Sequence, residues 1–285
     1  MTLQLHLVFL VLLAAVLHAT WNAVLKSSGD RFLSFTFIRG TGTVLALMAV
    51  AFVPIPAKGA WIFILAGIVI HNLYYVVLLQ AYRYGDLSHV YPLARGIAPL
   101  SVAVLAAVFA GEQPSIGAMA GIALVSVGII SLMFAGGSGP GQSSWKSKAV
   151  FFALLTGLFI ACYTVVDGLG IRRGETALGY IVWLNIGEGI PFMVAALWTR
   201  PAEIKPFMKI HWKRTTGAGV VVVAAYGLVL YALGQGAMAH VSALRETSVL
   251  FAALIGAFML GESFGWRRIV AAAVIVAGMV LLQVS

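Results

Sequence analysis

The sequence predicts an all-α membrane protein whose ten transmembrane helices form two inverted five-helix repeats. Three observations carry that prediction. Of 285 residues, 61% are hydrophobic and only 9% charged, with a mean hydropathy of +1.01; a soluble domain carries about 25% charged residues. The apolar runs are continuous, as in 103–110 and 220–225, whereas a transmembrane β-barrel alternates apolar and polar positions. Finally, motifs of the first half of the chain return in the second.

A bilayer crossing needs roughly 20 apolar residues. Crossings are expected at 3–25, 33–53, 60–81, 87–110, 115–135, 148–168, 176–198, 216–237, 240–260 and 266–284. The first shows no polar n-region and no clear cleavage site, and it contains His18, Trp21 and Asn22. It therefore reads as a membrane helix, not a removed signal peptide. The second carries Arg39 and the third His71, Asn72, Tyr74 and Tyr75. The fourth places Arg95 between Pro92 and Pro99. Prolines free backbone carbonyls, so this span is expected to kink in the manner of discontinuous transporter helices. Ser88, Tyr91, Pro92, Arg95 and Pro99 share one face at helical spacing.

In the fifth span, Gly117-Ala118-Met119-Ala120-Gly121 is a small-xxx-small pattern that lets a neighbouring helix or a second subunit approach closely. The sixth has the single cysteine, Cys162, which excludes an intrachain disulfide and reads as inert packing. It also has Tyr163, Thr164 and Asp167. The seventh brings Trp183 and Glu188, the eighth Tyr226, Tyr231 and Gln235, and the ninth the adjacent pair Arg245 and Glu246. Neighbours in a helix point about 100° apart, so those two are not expected to pair face to face. Glu112 and Glu262 read as turn markers.

Two links are longer than the rest. Residues 136–147 are rich in Gly and Ser and read as a linker between a first repeat, 1–135, and a second, 148–285; residues 199–215 read as a basic loop. Val8-Phe9-Leu10-Val11-Leu12-Leu13 recurs as Val150-Phe151-Phe152-Ala153-Leu154-Leu155, which sets Trp21 opposite Tyr163. His89-Val90 recurs as His240-Val241, Arg95 falls opposite Arg245, and Gly111-Glu112 returns as Gly261-Glu262. A repeat with an odd number of crossings must lie inverted, an arrangement that places a transporter's site between the copies.

Lysines and arginines fix the expected orientation. Twelve lie in the loops after spans 1, 3, 5, 7 and 9, against three (Lys58, Arg172 and Arg173) on the other side. The basic side is expected to be cytoplasmic, with both termini outside. We expect a multi-pass protein of a bacterial inner (plasma) membrane. The same placement explains the net charge of +9 without nucleic acid.

The stretch Ala81-Tyr82-Arg83-Tyr84-Gly85-Asp86-Leu87-Ser88-His89-Val90-Tyr91-Pro92-Leu93-Ala94-Arg95-Gly96-Ile97-Ala98-Pro99-Leu100, with Gly111-Glu112 and the later Leu260-Gly261-Glu262, resembles the signature of the EamA-like drug/metabolite transporters. His18-Ala19-Thr20-Trp21-Asn22-Ala23 resembles that family's Trp-Asn motif in its first helix. The resemblance covers essentially the whole chain. It implies ten helices in two repeats and a secondary carrier, an exporter or exchanger of amino acids, amines, sugars or other metabolites.

Arginines in lipid need a partner, a cavity or a substrate. Arg95 and Arg245 are candidate holders of an acidic substrate group, with His18, Trp21, Asn22, His71, Tyr74, Tyr75, Tyr91, Tyr163 and Trp183 as candidate pocket residues. Glu188, Glu246 and Arg39 are candidates for coupling or gating. Glu188 either stands alone, able to take up a proton, or pairs with an arginine. An aromatic pocket with cations in it suits a small anionic or zwitterionic metabolite such as an amino acid, organic acid or phosphonate, with protons as the candidate coupling ion. The alternative is proton-coupled efflux of cationic amines or drugs through Glu188. The remote alternative is an intramembrane enzyme using His18, His71 and Asp167. No His-Glu-x-x-His, Gly-x-Ser-x-Gly or phosphate-loop motif occurs, and no Cys/His cluster has metal-ligand spacing. No catalysis, metal or cofactor is expected, and the protein is expected to work as a monomer or homodimer.

Overall fold

The computed structural model describes residues 3–85, 87–134, 147–260 and 265–285. Among these, ten helical segments are long and apolar enough to cross a bilayer. The first repeat holds α1 (Leu5–Lys26), α2 (Arg31–Ala49), α3 (Trp61–Tyr84), α4 (Leu87–Ala110) and α5 (Ile116–Ser131). The second holds α6 (Ser147–Arg173), α7 (Ala177–Thr199), α8 (Pro201–Gln235), α9 (Met238–Arg245), α10 (Ser248–Leu260) and α11 (Trp266–Val284), with α9 and α10 sharing one crossing. Several starts are written in the sequence. Asp30, Ser115 and Thr176 each accept a hydrogen bond from a backbone N–H in the first turn of α2, α5 and α7, at 3.0, 3.0 and 3.1 Å, which satisfies a donor the helix itself leaves free.

The packing shows how the repeats relate. α3 lies on α6 as α8 lies on α1, and α4 lies on α6 as α9 and α10 lie on α1. α2 meets α7, α4 meets α9 and α5 meets α11, each pairing a helix with its own counterpart. Exchanging the two repeats maps each of these contacts onto itself or another of them, as a two-fold relation requires. The last pair is packed backbone to backbone. A Cβ on Gly121 would lie 2.8 Å from the Gly278 carbonyl, and one on Gly278 would lie 2.8 Å from the Gly121 carbonyl. The small residues of the fifth span thus dock α5 on α11, backbone to backbone.

Three features differ from the sequence expectation. Residues 201–215, expected as a loop, are the first turns of α8. Pro201 suits a helix start, where its missing N–H costs nothing, and Phe207 stacks on Phe37 of α2 at 5.5 Å between ring centroids. Arg214 bonds Ser27 and the Val24 carbonyl at the C-terminal end of α1. Packing thereby holds a basic segment helical. Second, α4 runs unbroken through Pro92 and Pro99; the break falls in the ninth crossing, between α9 and α10. There the bonds tighten to i+3: Thr247 N–H donates to the Leu244 carbonyl (3.1 Å) and Val249 N–H to the Glu246 carbonyl (3.0 Å). The Thr247 hydroxyl also donates to the Leu244 carbonyl, at 2.7 Å. Third, Arg245 and Glu246 do pair, because that break takes them off regular helical geometry. Asp86, the linker residues 136–146, Gly261 and Glu262 lie outside the described residues.

Candidate substrate cavity

Two buried charge clusters, each joining the two repeats, face each other at the repeat interface. The first gathers α2, α3, α6, α7 and α8. Arg39, only 5% exposed, forms an ion pair with Glu188, which is 1% exposed. Snorkelling to the surface is thus not how Arg39 is accommodated, and Glu188 is not the isolated carboxylate that was one of its two sequence readings. His71 approaches Glu188 Oε1 through Nδ1 at 3.0 Å and Asp167 Oδ2 through Nε2 at 2.9 Å. Asp167 is a hub: Tyr226 donates to its Oδ2 at 2.6 Å and Tyr180 to its Oδ1 at 3.0 Å. Tyr163 stacks on the His71 ring at 4.1 Å, and Tyr75 lies under the Arg39 guanidinium at 5.7 Å.

The second cluster joins α1, α4 and the break between α9 and α10. Arg95 Nε lies 3.0 Å from Glu246 Oε2; its Nη2 donates to Ser248 Oγ at 3.1 Å and lies 2.7 Å from His18 Nε2. Trp21 donates to the other nitrogen of His18 at 3.3 Å. Tyr91 lies under Arg95 at 5.5 Å. Arg245 donates to Glu246 Oε1 through Nε at 3.3 Å and Nη2 at 3.2 Å, with Tyr163 under it at 5.7 Å. One carboxylate therefore serves two guanidinium groups in a low-dielectric site, which leaves a positive charge uncompensated within this cluster.

Between the clusters lies a cavity of about 50 Å³, and His18, Trp21, Arg39, His71, Glu188 and Arg245 are in its wall. Tyr74, Tyr75, Tyr163 and Tyr226 supply aromatic faces, and Ala14, Val222, Ala225 and Val229 supply small apolar ones. At about 10–15 Å³ per water in this measure, the space holds a few waters. A metabolite needs the repeats to part.

Of the residues singled out from sequence, His18, Trp21, His71, Tyr74, Tyr75, Tyr163, Arg245, Glu188 and Arg39 meet at this cavity. Arg95, Glu246 and Tyr91 form the layer behind it. Asn22 and Asn72 instead donate to carbonyls of their own helices, at 2.8 Å in both cases, and Trp183 packs edge-on against Trp61 at 4.9 Å. Sequence reading missed Tyr180 and Ser248. A signal for the tyrosine was present in Gly170: a Cβ there would meet the Tyr180 hydroxyl at 2.6 Å, so the glycine marks where α7's ring crosses α6. Nothing in the sequence around Ser248 distinguishes it from a packing serine. Among the described residues no group of His, Cys, Asp and Glu is arranged to hold a metal ion.

Ten crossings in two inverted repeats, closing on a buried cavity of opposed charges, are the architecture of a membrane transporter of small molecules. The chain belongs to the EamA-like transporter family, whose model matches residues 6–134 and again 147–284. It is an integral, multi-pass membrane protein. No curated protein matches it. Among solved structures, a crystal structure titled only as that of a protein superposes with a TM-score of 0.77 over 98% of this chain and 95% of its own, at 16% identity. At that identity the likeness is one of fold.

Proposed function

We propose that the protein is a secondary active carrier that exports or exchanges a small anionic or zwitterionic metabolite, such as an amino acid, organic acid or phosphonate. The observation that carries this reading is the sharing of Glu246 by Arg95 and Arg245, with Arg245 in the cavity wall. A guanidinium has five N–H donors. Arg245 spends those of Nε and Nη2 on Glu246, and its remaining capacity suits a carboxylate or phosphonate. Arg95, tied to Glu246, Ser248 and His18, holds that anchor in place. The tyrosine faces suit the ammonium of a zwitterion. An amine with no acidic group would meet Arg39 and Arg245 in the same cavity, and Glu188 is already paired, so the anionic reading is preferred over amine efflux. Alternating access is then a rocking of one five-crossing unit against the other.

The test is thermal stabilisation of purified protein by a panel of amino acids, organic acids, phosphonates, phosphate esters and amines, followed by counterflow of the stabilising compounds in proteoliposomes. Ligands that bind only the folded state raise its stability by mass action. Anions should stabilise the wild type and exchange across the vesicle membrane, and both effects should be lost in Arg245→Gln. Stabilisation confined to amines overturns the reading.

A further inference from the structure

α8 is 35 residues long, and a bilayer crossing needs roughly 20. The excess lies in its first turns, and their contacts show where they run. Gly219 lies against α2: a Cβ there would be 2.7 Å from the Ile38 carbonyl and 2.5 Å from Thr41 Cβ. Phe207 stacks on Phe37 at 5.5 Å. From Phe207 to Gly219 a helix rises about 18 Å at about 1.5 Å per residue, whereas from Phe37 to Thr41 it rises only about 6 Å. Arg200, just ahead of α8, comes back to the start of α2, 2.8 Å from Asp30 Oδ2 and 5.4 Å from the Phe32 ring centroid. The first turns of α8 therefore lean across the bundle and do not continue along α2. The Thr215 hydroxyl donates to the His211 and Trp212 carbonyls at 3.1 and 3.2 Å, a back-bonding that bends helices. The segment thus lies level with the first two turns of α2, where that crossing meets the membrane surface.

Its inner face carries Ile204, Phe207, Met208, His211 and Thr215, with His211 tilted on Phe207 at 4.7 Å. Its outer face carries Lys205, Lys209 and Lys213, all exposed. Residues four apart in a helix sit one above another, so the three lysines form a stripe. Exposed Trp212 and Ile210 flank it, and Lys213 Nζ lies over the Trp212 ring at 5.7 Å. The nearby carboxylates are already engaged: Asp30 and Glu203 both face Arg200, at 2.8 and 3.7 Å. Among the described residues none of the three lysines has an ion pair or a hydrogen bond. A stripe of unneutralised lysines edged by a tryptophan and an isoleucine, on a helix lying along a membrane surface, is the composition of an interfacial helix.

We propose that the first turns of α8 are a binding site for anionic phospholipid headgroups, with Lys205, Lys209 and Lys213 taking the phosphates and Trp212 and Ile210 entering the acyl boundary. Depth selects this occupant. At the level of the first turns of α2 the surroundings of the chain are lipid, and lysine stems are long enough to carry their charges from that boundary to the headgroups. An ammonium is a compact charge that meets a phosphate without a fixed geometry, which suits mobile lipids. The site is also tied to the cavity. Arg214 bonds Ser27 and the Val24 carbonyl at the end of α1. Beside that contact Trp21 and Val222 pack in one apolar cluster, and both line the cavity. Headgroups gathered on the lysines hold this end of the bundle together, so they stabilise the fold. The inference stands whatever compound the cavity takes.

The test titrates the full chain, in a neutral detergent, with phosphatidylglycerol or with phosphatidylcholine of the same acyl chains. Bound lipid is counted by native mass spectrometry and the unfolding temperature is read alongside. Phosphatidylglycerol should bind more tightly and raise the unfolding temperature further. Lys205→Gln/Lys209→Gln/Lys213→Gln should weaken its binding by up to about a hundredfold, about fivefold for each lysine near an anionic surface. The same three positions changed to Arg keep the charges and should keep the affinity. The preference should shrink between about 0.1 and 1 M salt, as the screening length falls from about 10 to about 3 Å. The three lysines hold nothing in the bundle, so the glutamine variant should unfold with the wild type in phosphatidylcholine. Should it not, Lys209→Gln alone, with about a fivefold loss expected, replaces it. Equal affinity for the two lipids, or unchanged phosphatidylglycerol affinity without the lysines, overturns the proposal. Glycerol phosphate that reproduces the stabilisation at the same concentration overturns it in favour of a soluble phosphate ligand. Lysine-dependent binding of polyglutamate with none of phosphatidylglycerol overturns it in favour of an acidic protein.

Discussion

Glu246 is the side chain on which both arginines of the second cluster depend. Removing one partner of a buried pair strands a charge and costs on the order of 3–5 kcal/mol. Arg95→Gln still leaves Glu246 with Arg245, and Arg245→Gln still leaves it with Arg95. Glu246→Gln strands two guanidinium groups at once. Thermal unfolding of the three purified variants should therefore place Glu246→Gln lowest. Equal unfolding temperatures would mean that the arginines find other anions. At the same scale, Arg245→Gln should abolish stabilisation by anions while remaining folded, because Arg245 faces the cavity, whereas Arg95→Gln should lose stability first, having Ser248 and His18 to release as well. Ligand-shift measurements on both variants separate the two roles.

Among the elements, the contact of α5 with α11 allows no added atom. Gly121 meets backbone atoms of Gly278 and Leu282, which have no rotamer to yield. Gly121→Ala should cost about 1–3 kcal/mol, the range for overpacking. Gly217→Ala, with nothing within 4 Å, should be neutral or stabilising. Melting curves of the pair in one detergent check the contrast. The start of α9 makes a second case. Glu112, read from sequence as a turn marker, accepts from Met238 N–H with both oxygens, at 3.0 and 2.8 Å, and pairs with Arg172 at 2.9 Å. Arg172 also donates to the Leu233 and Gly236 carbonyls at 3.1 and 2.7 Å. This residue of the first repeat thus caps a helix of the second. Glu112→Ala should cost about 1 kcal/mol, the usual value of a lost cap, and protease nicking at 236–238 should speed up.

For the whole molecule, the two-fold relation predicts which loops share a side. Cysteines placed singly at Gly59 and Gly174, with Cys162 replaced, should react with an impermeant reagent on one side of the membrane. A cysteine at Gly29 should react on the other. The twelve-to-three distribution of basic residues predicts that Gly29's side is cytoplasmic. Labelling of Gly29 from outside intact cells would refute that orientation.

The sequence by itself determined the ten crossings, their two-repeat order, the family and most of the cavity wall. These depend on local quantities. Hydrophobic length sets a crossing, an odd number of crossings sets inversion, and a charged or hydrogen-bonding side chain in lipid must face inward. Arg39, His71, Glu188 and Arg245 were visible for that reason. Only the tertiary structure decided who pairs with whom. Arg39 meets Glu188 across 149 positions and Arg95 meets Glu246 across 151, separations at which no periodicity speaks. It also decided where a helix breaks. Two prolines leave α4 whole because its neighbours hold it in place, while the proline-free Arg245-Glu246-Thr247 segment tightens into a turn. There, the Thr247 hydroxyl and the i+3 backbone bonds satisfy carbonyls that a break in lipid would otherwise leave bare.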